Sequence, residues 1–257
     1  MKTKTITYDD RTEWYKNGRL HRIDGPAVEY DNGDKIWYQK GRLHRTDDPA
    51  MEYANGHEQW FINGVRHRIG GPAITYESGD KYWYQKGRLH RLTGPAIEHS
   101  NGTKFWYKNG SYHRLDGPAI ERKDGSKEWY KNGFRHRITG PATENTNGST
   151  FWHKNGRLHR LDGPAAIWNN GDKEWFKNGY HHRIDGPAVE LKNGTKKWLQ
   201  KGKLHRLDGP ALICADGTKK WYKNDIYHRT DGPAIELPNG DKLFYINGLP
   251  RNISAFK

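Results

Sequence analysis

The motif His-Arg-x-Asp-Gly-Pro-Ala opens at His21 and returns, in varied form, at His44, His67, His90, His113, His136, His159, His182, His205 and His228. Every step is 23 residues, with no insertion or deletion. A tryptophan keeps the same interval at Trp14, Trp37, Trp60, Trp83, Trp106, Trp129, Trp152, Trp175, Trp198 and Trp221, and Phe244 closes the series. Copies in so strict a register must each pack on a neighbour in one repeated geometry. The 257 residues therefore read as a single array: an N-terminal cap over 1–11, ten repeats over 12–243, and a C-terminal cap over 244–257.

Within a copy, two turn signals stand out, as at Asn32-Gly33 and Lys40-Gly41. The second is Asn-Gly at Asn63, Asn109, Asn132 and Asn155, a pair suited to a type I′ hairpin turn because both central residues need positive φ. Asp34–Gln39 between the turns has strand length, and no helical period is visible. A second strand runs from Arg42 to Tyr53 and bends in its middle, because proline cannot donate to a ladder. The pattern predicts an all-β fold, an elongated, twisted, single-layer antiparallel sheet of ten hairpin repeats. The rival is a parallel β-helix with one coil per repeat. There, equivalent arginines would stack about 4.8 Å apart, against roughly 10 Å in the hairpin sheet. Repulsion over the longer spacing is largely screened, which favours the hairpins.

The expected core is the tryptophan with its aromatic neighbour and two apolar positions. One follows the repeated arginine: Ile23, Ile69, Leu92, Leu115, Ile138, Leu161, Ile184 and Leu207. The other follows the repeated alanine: Val28, Met51, Ile74, Ile97, Ile120, Val189, Leu212 and Ile235. Four or five such side chains yield about 1.5–3 kcal/mol each when buried, while ordering the backbone costs roughly 1–2 kcal/mol per residue. One copy alone is expected to stay unfolded.

Hydrophobic residues make up only 33% of the chain, yet it carries 11 Trp and 15 Tyr, which argues against disorder. The first residues lack an apolar signal core, and the single cysteine, Cys214, cannot pair internally. These features lead us to expect a cytoplasmic protein.

The 23-residue length, the aromatic strand, the Asn-Gly turns and the following histidine resemble the MORN repeat over about residues 12–248. MORN copies usually carry glycine directly after the histidine, where this chain has arginine followed by Asp-Gly-Pro. Similar His-Arg-x-Asp-Gly-Pro arrays look like those of large-phage and viral proteins of unassigned role. The resemblance implies hairpins laid side by side and a role in scaffolding, protein binding or phospholipid binding rather than chemistry.

Three features bear on function. The corner repeats His and Arg in all ten copies, with members such as His44, His113, Asp116 and Pro118. Tenfold repetition favours a structural corner in which Asp caps turn amides and pairs with Arg. Gly70, Thr93 and Thr139 replace the Asp in three copies, so Arg68, Arg91 and Arg137 are the candidate anion contacts. The tryptophan strand alternates cations and rings, as in Lys104-Trp106-Lys108, Lys127-Trp129-Lys131 and Lys173-Trp175-Lys177, with Lys219 and Lys223 around Trp221. Such a face suits single-stranded nucleic acid, or else the tryptophans are core and lysine stems cover them. Finally, 44 Lys and Arg against 30 Asp and Glu give a net charge of +14, which steers the chain toward polyanions.

An active site is singular, and ten equal motifs are not, so no enzyme is expected, nor any metal or cofactor. The expected function is capture of a macromolecule along one long basic and aromatic face. An acidic protein surface comes first, bound as scaffold or inhibitor and, if the chain is viral, belonging to the host. Sequence-tolerant RNA or DNA binding is the alternative, and anionic phospholipid the second. The array ends expose strand edges through which copies of the chain would associate.

Overall fold

A computed structural model describes residues 3–251. The chain divides into two compact units, Met1–Gly133 and Phe134–Lys257. Each is all-β, and no helix occurs among the described residues.

The repeat explains the topology of both units. In the first, Val28–Tyr30 pairs with Lys35–Ile36, which pairs with Met51–Glu52, and the order continues along the chain as an antiparallel meander. The second unit repeats the pattern, with Thr143 opposite Phe151, Phe151 opposite Ala166 and Ala166 opposite Glu174. Every described pairing is antiparallel, so hairpin repeats form the fold and the parallel-coil alternative falls. Register sets opposite charges together in several copies. Lys35 lies opposite Glu29 and Glu52, and Lys104 opposite Glu98 and Glu121. Each such cross-strand pair contributes about 0.2–1 kcal/mol.

The expected strands are cut where the chain changes partner. Trp37 donates its amide to Ala50, at 2.8 Å, and accepts from His44, at 3.1 Å, so it serves two ladders. Before it lies Lys35–Ile36 in the main sheet. After it, Tyr38–Gln39 pairs with Arg42–Leu43 as a side hairpin. The Lys40-Gly41 turn of that hairpin has φ of 53° and 76°, the double positive φ that Asn-Gly satisfies readily. Neighbouring side hairpins are joined by Gly41 N–H to Leu20 O and Arg22 N–H to Tyr38 O.

Two kinds of side-chain acceptor tie neighbouring copies together. The Nδ1 of His21 accepts the Lys40 amide at 3.0 Å, and the same bond recurs from His44 to Asn63 and from His113 to Asn132. At the opposite turn, Asp34 Oδ1 accepts the Ala54 amide, as Asp80 accepts that of Ser100. The repeated histidine is thus an acceptor for a turn whose N–H would otherwise face water.

The core is thinner than the sequence suggests. The ten repeated alanines are completely buried, and Val28, Ile74, Ile97, Ile120, Val189 and Ile235 beside them are buried too. Met51 and Leu212 are half-buried. The other expected core row is not core. Ile23, Ile69, Leu92, Leu115, Ile138, Leu161, Ile184 and Leu207 are 75–88% exposed. At the N-terminal end, Thr3–Thr7 lies along Arg11–Lys16, placing Thr5 opposite Trp14. Part of the C-terminal cap, residues 252–257, lies outside the described residues.

Candidate binding face

Each corner is a clamp around one guanidinium. Arg114 Cζ lies 4.0 Å from the Trp106 ring centre, and the described stacks run from 3.7 Å at Arg68 to 4.3 Å at Arg206. Its Nη1 donates to Pro118 O at 3.1 Å, a bond repeated in all ten copies, as from Arg22 to Pro26 and Arg229 to Pro233. Its Nε donates to Asp116 at 3.0 Å and its Nη1 to Glu121 at 2.8 Å. The glycine before the proline leaves room for this. A Cβ on Gly117 would come within 2.7 Å of the guanidinium carbon. Copy two carries Asp48 there instead, and that carboxylate itself pairs with Arg45 at 2.8 Å.

These contacts fix the electrostatics. The arginine hydrogen bond, more than any other cause, holds Asp116, Asp162, Asp185, Asp208 and Asp231 below the ordinary aspartate range. Burial, with Lys177 and Lys201 nearby, holds His182 below the ordinary histidine value, and its Nδ1 accepts the Lys201 amide. Burial also lowers His57, stacked between Tyr53 and Tyr76, with a smaller contribution from Arg66. All these folded-state values lie below the unfolded ones, so the unfolded chain binds protons first as pH falls. The melting temperature should therefore be flat from about pH 6.5, the unfolded histidine value, to about pH 9, fall as pH drops through His182 and His57, and fall again below about pH 4 as the aspartates protonate. Thermal unfolding in a pH series checks this. A melting temperature that rises between pH 7 and 5 would contradict it.

The predicted site residues separate. Arg91 and Arg137 lack Asp two residues on, but Glu98 and Glu144 take their Nη1 at 2.7 and 2.6 Å. Arg68 has neither partner, because Gly70 and Thr75 occupy both positions. The lysine pairs part company at the tryptophan. Lys104, Lys127, Lys173 and Lys219 lie in the main sheet, and Lys108, Lys131, Lys177 and Lys223 in side hairpins. Register places glutamate opposite Lys104, Lys127, Lys173 and Lys219 on at least one side. All eight are exposed.

Between successive corners lies a groove. In the second unit, one is walled by Leu161 and Ile184, with Trp175, Lys177 and Arg183 along it. The next has Ile184 and Leu207 as walls, with Trp198 and Gln200. Sequence reasoning missed this ridge of aliphatic side chains, and with it Lys154 in the groove beside Trp152. The signal was there. An Arg and an Asp two residues apart can bond to each other, as Arg114 and Asp116 do at 3.0 Å, which turns Leu115 between them outward. Among the described residues no group of three or more His, Cys, Asp or Glu could hold a metal ion, and no helix is long and apolar enough to cross a membrane. No family model matches the chain, and no curated protein is significantly similar to it.

Proposed function

We propose that this chain is a non-catalytic binding protein that engages a protein partner through the aliphatic row at its corners, the partner presenting apolar side chains among acidic ones. The carrying observation is the eight exposed Ile and Leu side chains, one per corner in eight copies, at 75–88% exposure. Leaving so many aliphatic side chains in water forfeits their burial energy, and periodic exposed apolar surface marks an interaction site. The net charge of +14 and the lysines beside the tryptophans favour an acidic partner.

Two observations weigh against nucleic acid. Arginine covers one face of repeat tryptophans such as Trp106, Trp152 and Trp175, so those faces are closed to base stacking. An aspartate 79–86% exposed stands beside the ridge in copies such as those of Asp24, Asp116 and Asp231, and would repel phosphate. The likeness to MORN arrays supports a scaffolding role, and the lone half-buried Cys214 suits a reducing cytoplasm.

The test compares the wild-type chain with a variant in which Leu92, Leu115, Leu161 and Leu207 are all changed to Ser. Affinity capture from the native cell, with nuclease, should recover a protein partner for the wild type. The variant should bind that purified partner at least about tenfold more weakly, since buried interface leucines contribute on the order of 1–2 kcal/mol each. Equal binding by the variant overturns the reading. So does capture that nuclease abolishes, or retention only on anionic vesicles.

A further inference from the structure

Arg68 differs from every other corner arginine. Each of the others has a carboxylate partner two, three or seven residues further on, from Asp24 and Glu29 for Arg22 to Asp231 and Glu236 for Arg229. Gly70 and Thr75 stand at two of these positions beyond Arg68, and Gly71 at the third. Among the described residues it has no carboxylate within 4 Å. Glu58 and Asp48 act on it only at longer range. The rest of the clamp is intact, with Trp60 at 3.7 Å and Pro72 O at 3.1 Å. The guanidinium is therefore fixed with none of the carboxylate oxygens that each of its nine siblings receives on at least one N–H edge. The corner backbone differs too. Gly70 has φ of 81°, a conformation that disfavours any side chain there, so no internal aspartate readily takes the place.

The surroundings are also unlike the other copies. The groove beside Arg68 has a volume of about 830 Å³, against 420–690 Å³ for the described grooves of the second unit. Ile62 stands where those grooves carry lysine or glutamine, and Val65 and Ile69 add apolar walls. Lys86 is a second cation and Asp47 an anion on its rim.

We propose that the Arg68 groove is a dedicated subsite for one carboxylate flanked by apolar side chains, the Glu or Asp of a partner segment, which completes the clamp that the chain completes for itself elsewhere. A planar guanidinium fixed on a ring binds a carboxylate through charge-assisted hydrogen bonds. The apolar walls and the Asp47 carboxylate disfavour a phosphate dianion, whose second negative charge and hydration shell the groove would have to accept beside that carboxylate. The proposal deepens the binding role above. If it fails, only the Arg68 site is lost, because the serine test on the ridge leaves Arg68 and its groove untouched.

The experiment follows the Arg Nε–Hε resonances of the full chain in proton–nitrogen spectra while a capped Leu-Glu-Leu peptide is added. The Arg68 signal should shift saturably, with Arg91 and Arg137 still as internal references. The Leu-Gln-Leu peptide should bind at least about tenfold more weakly, the usual margin for a charge-assisted hydrogen bond. Thr75→Glu should abolish the response by closing the clamp from within. The geometry has a precedent, because Glu52, opposite Lys35 and Glu58, pairs with Arg45 at 2.6 Å. Thr75 lies likewise opposite Lys81 and Glu58. Arg68→Gln removes the cation directly and serves if the first variant folds poorly. A shift shared equally by Arg91, an equal response to the glutamine peptide, survival of glutamate-peptide binding in these variants, or an equal response to inorganic phosphate would each overturn the proposal.

Discussion

Changing Arg114 to alanine lowers the melting temperature by about 6–12 °C, the equivalent of roughly 3 kcal/mol. Four losses combine. The guanidinium no longer covers Trp106, where a partly desolvated cation–π contact contributes about 1–2 kcal/mol. Pro118 O loses its donor, and Asp116 and Glu121 lose their shared partner. A side chain about one-fifth exposed also leaves a gap against the ring. Arg114→Lys restores charge but not the planar fork, so it recovers less than half of the loss. Arg68→Ala, at a clamp with no carboxylate, should lower the melting temperature by about half as much as Arg114→Ala. Scanning calorimetry of the three variants checks the order. Equal effects at Arg68 and Arg114 would mean that the carboxylates contribute nothing.

Deleting one whole repeat does far less damage than deleting half of one. Removal of residues 93–115 joins Leu92 directly to Asp116 and regenerates the corner motif without a seam. Tyr82 loses Ile97 as a partner and gains Ile120, a chemically equal neighbour in the same register. The shortened chain should keep its circular dichroism per residue and melt within about 5 °C of the parent, because stability in a repeat array is a sum of nearest-neighbour terms. Removal of residues 93–104, twelve residues, joins Leu92 to Phe105 and erases Ile97–Glu98 together with the Gly-Pro corner. Lys81–Tyr82 then has no antiparallel partner on that side, and the Arg91 clamp loses Pro95 and Glu98. That chain should lose cooperative unfolding in the affected unit or melt at least about 10 °C lower. The two deletions are compared by circular dichroism and thermal scans. Equal damage from both would show that 23 residues are not the unit of stability.

Much of this was legible in the residues. Exact spacing gave the repeat, the Asn-Gly pairs gave the side-hairpin turns, and like-charge repulsion favoured hairpins over coils. The rest lies where two local rules compete. Asp34–Gln39 reads as one strand by length, but Trp37 hands the chain from one ladder to another, and a partner change leaves no mark in composition. The residue after the repeated arginine is aliphatic in most copies, and aliphatic character alone says core. Its neighbours say otherwise. Arg114 and Asp116 bond to each other, so Leu115 between them must face away, and it is 77% exposed. The lysines on either side of the tryptophan share one face only if alternation runs through it, and the change of ladder at the tryptophan interrupts that alternation. The distinctiveness of Arg68 was half visible in Gly70. Thr75, five residues beyond it, completes the case only once a glutamate from that position is seen reaching back to the other arginines.

The central claim is that the corners hold the fold and the side chains between them hold a partner. The melting temperature of the chain with Leu92, Leu115, Leu161 and Leu207 all changed to Ser tests it most directly. If those side chains stand in water, the variant melts within about 3 °C of the wild type, as surface substitutions do. If they belong to the core, four Leu→Ser changes remove on the order of 10 kcal/mol, and the chain does not fold.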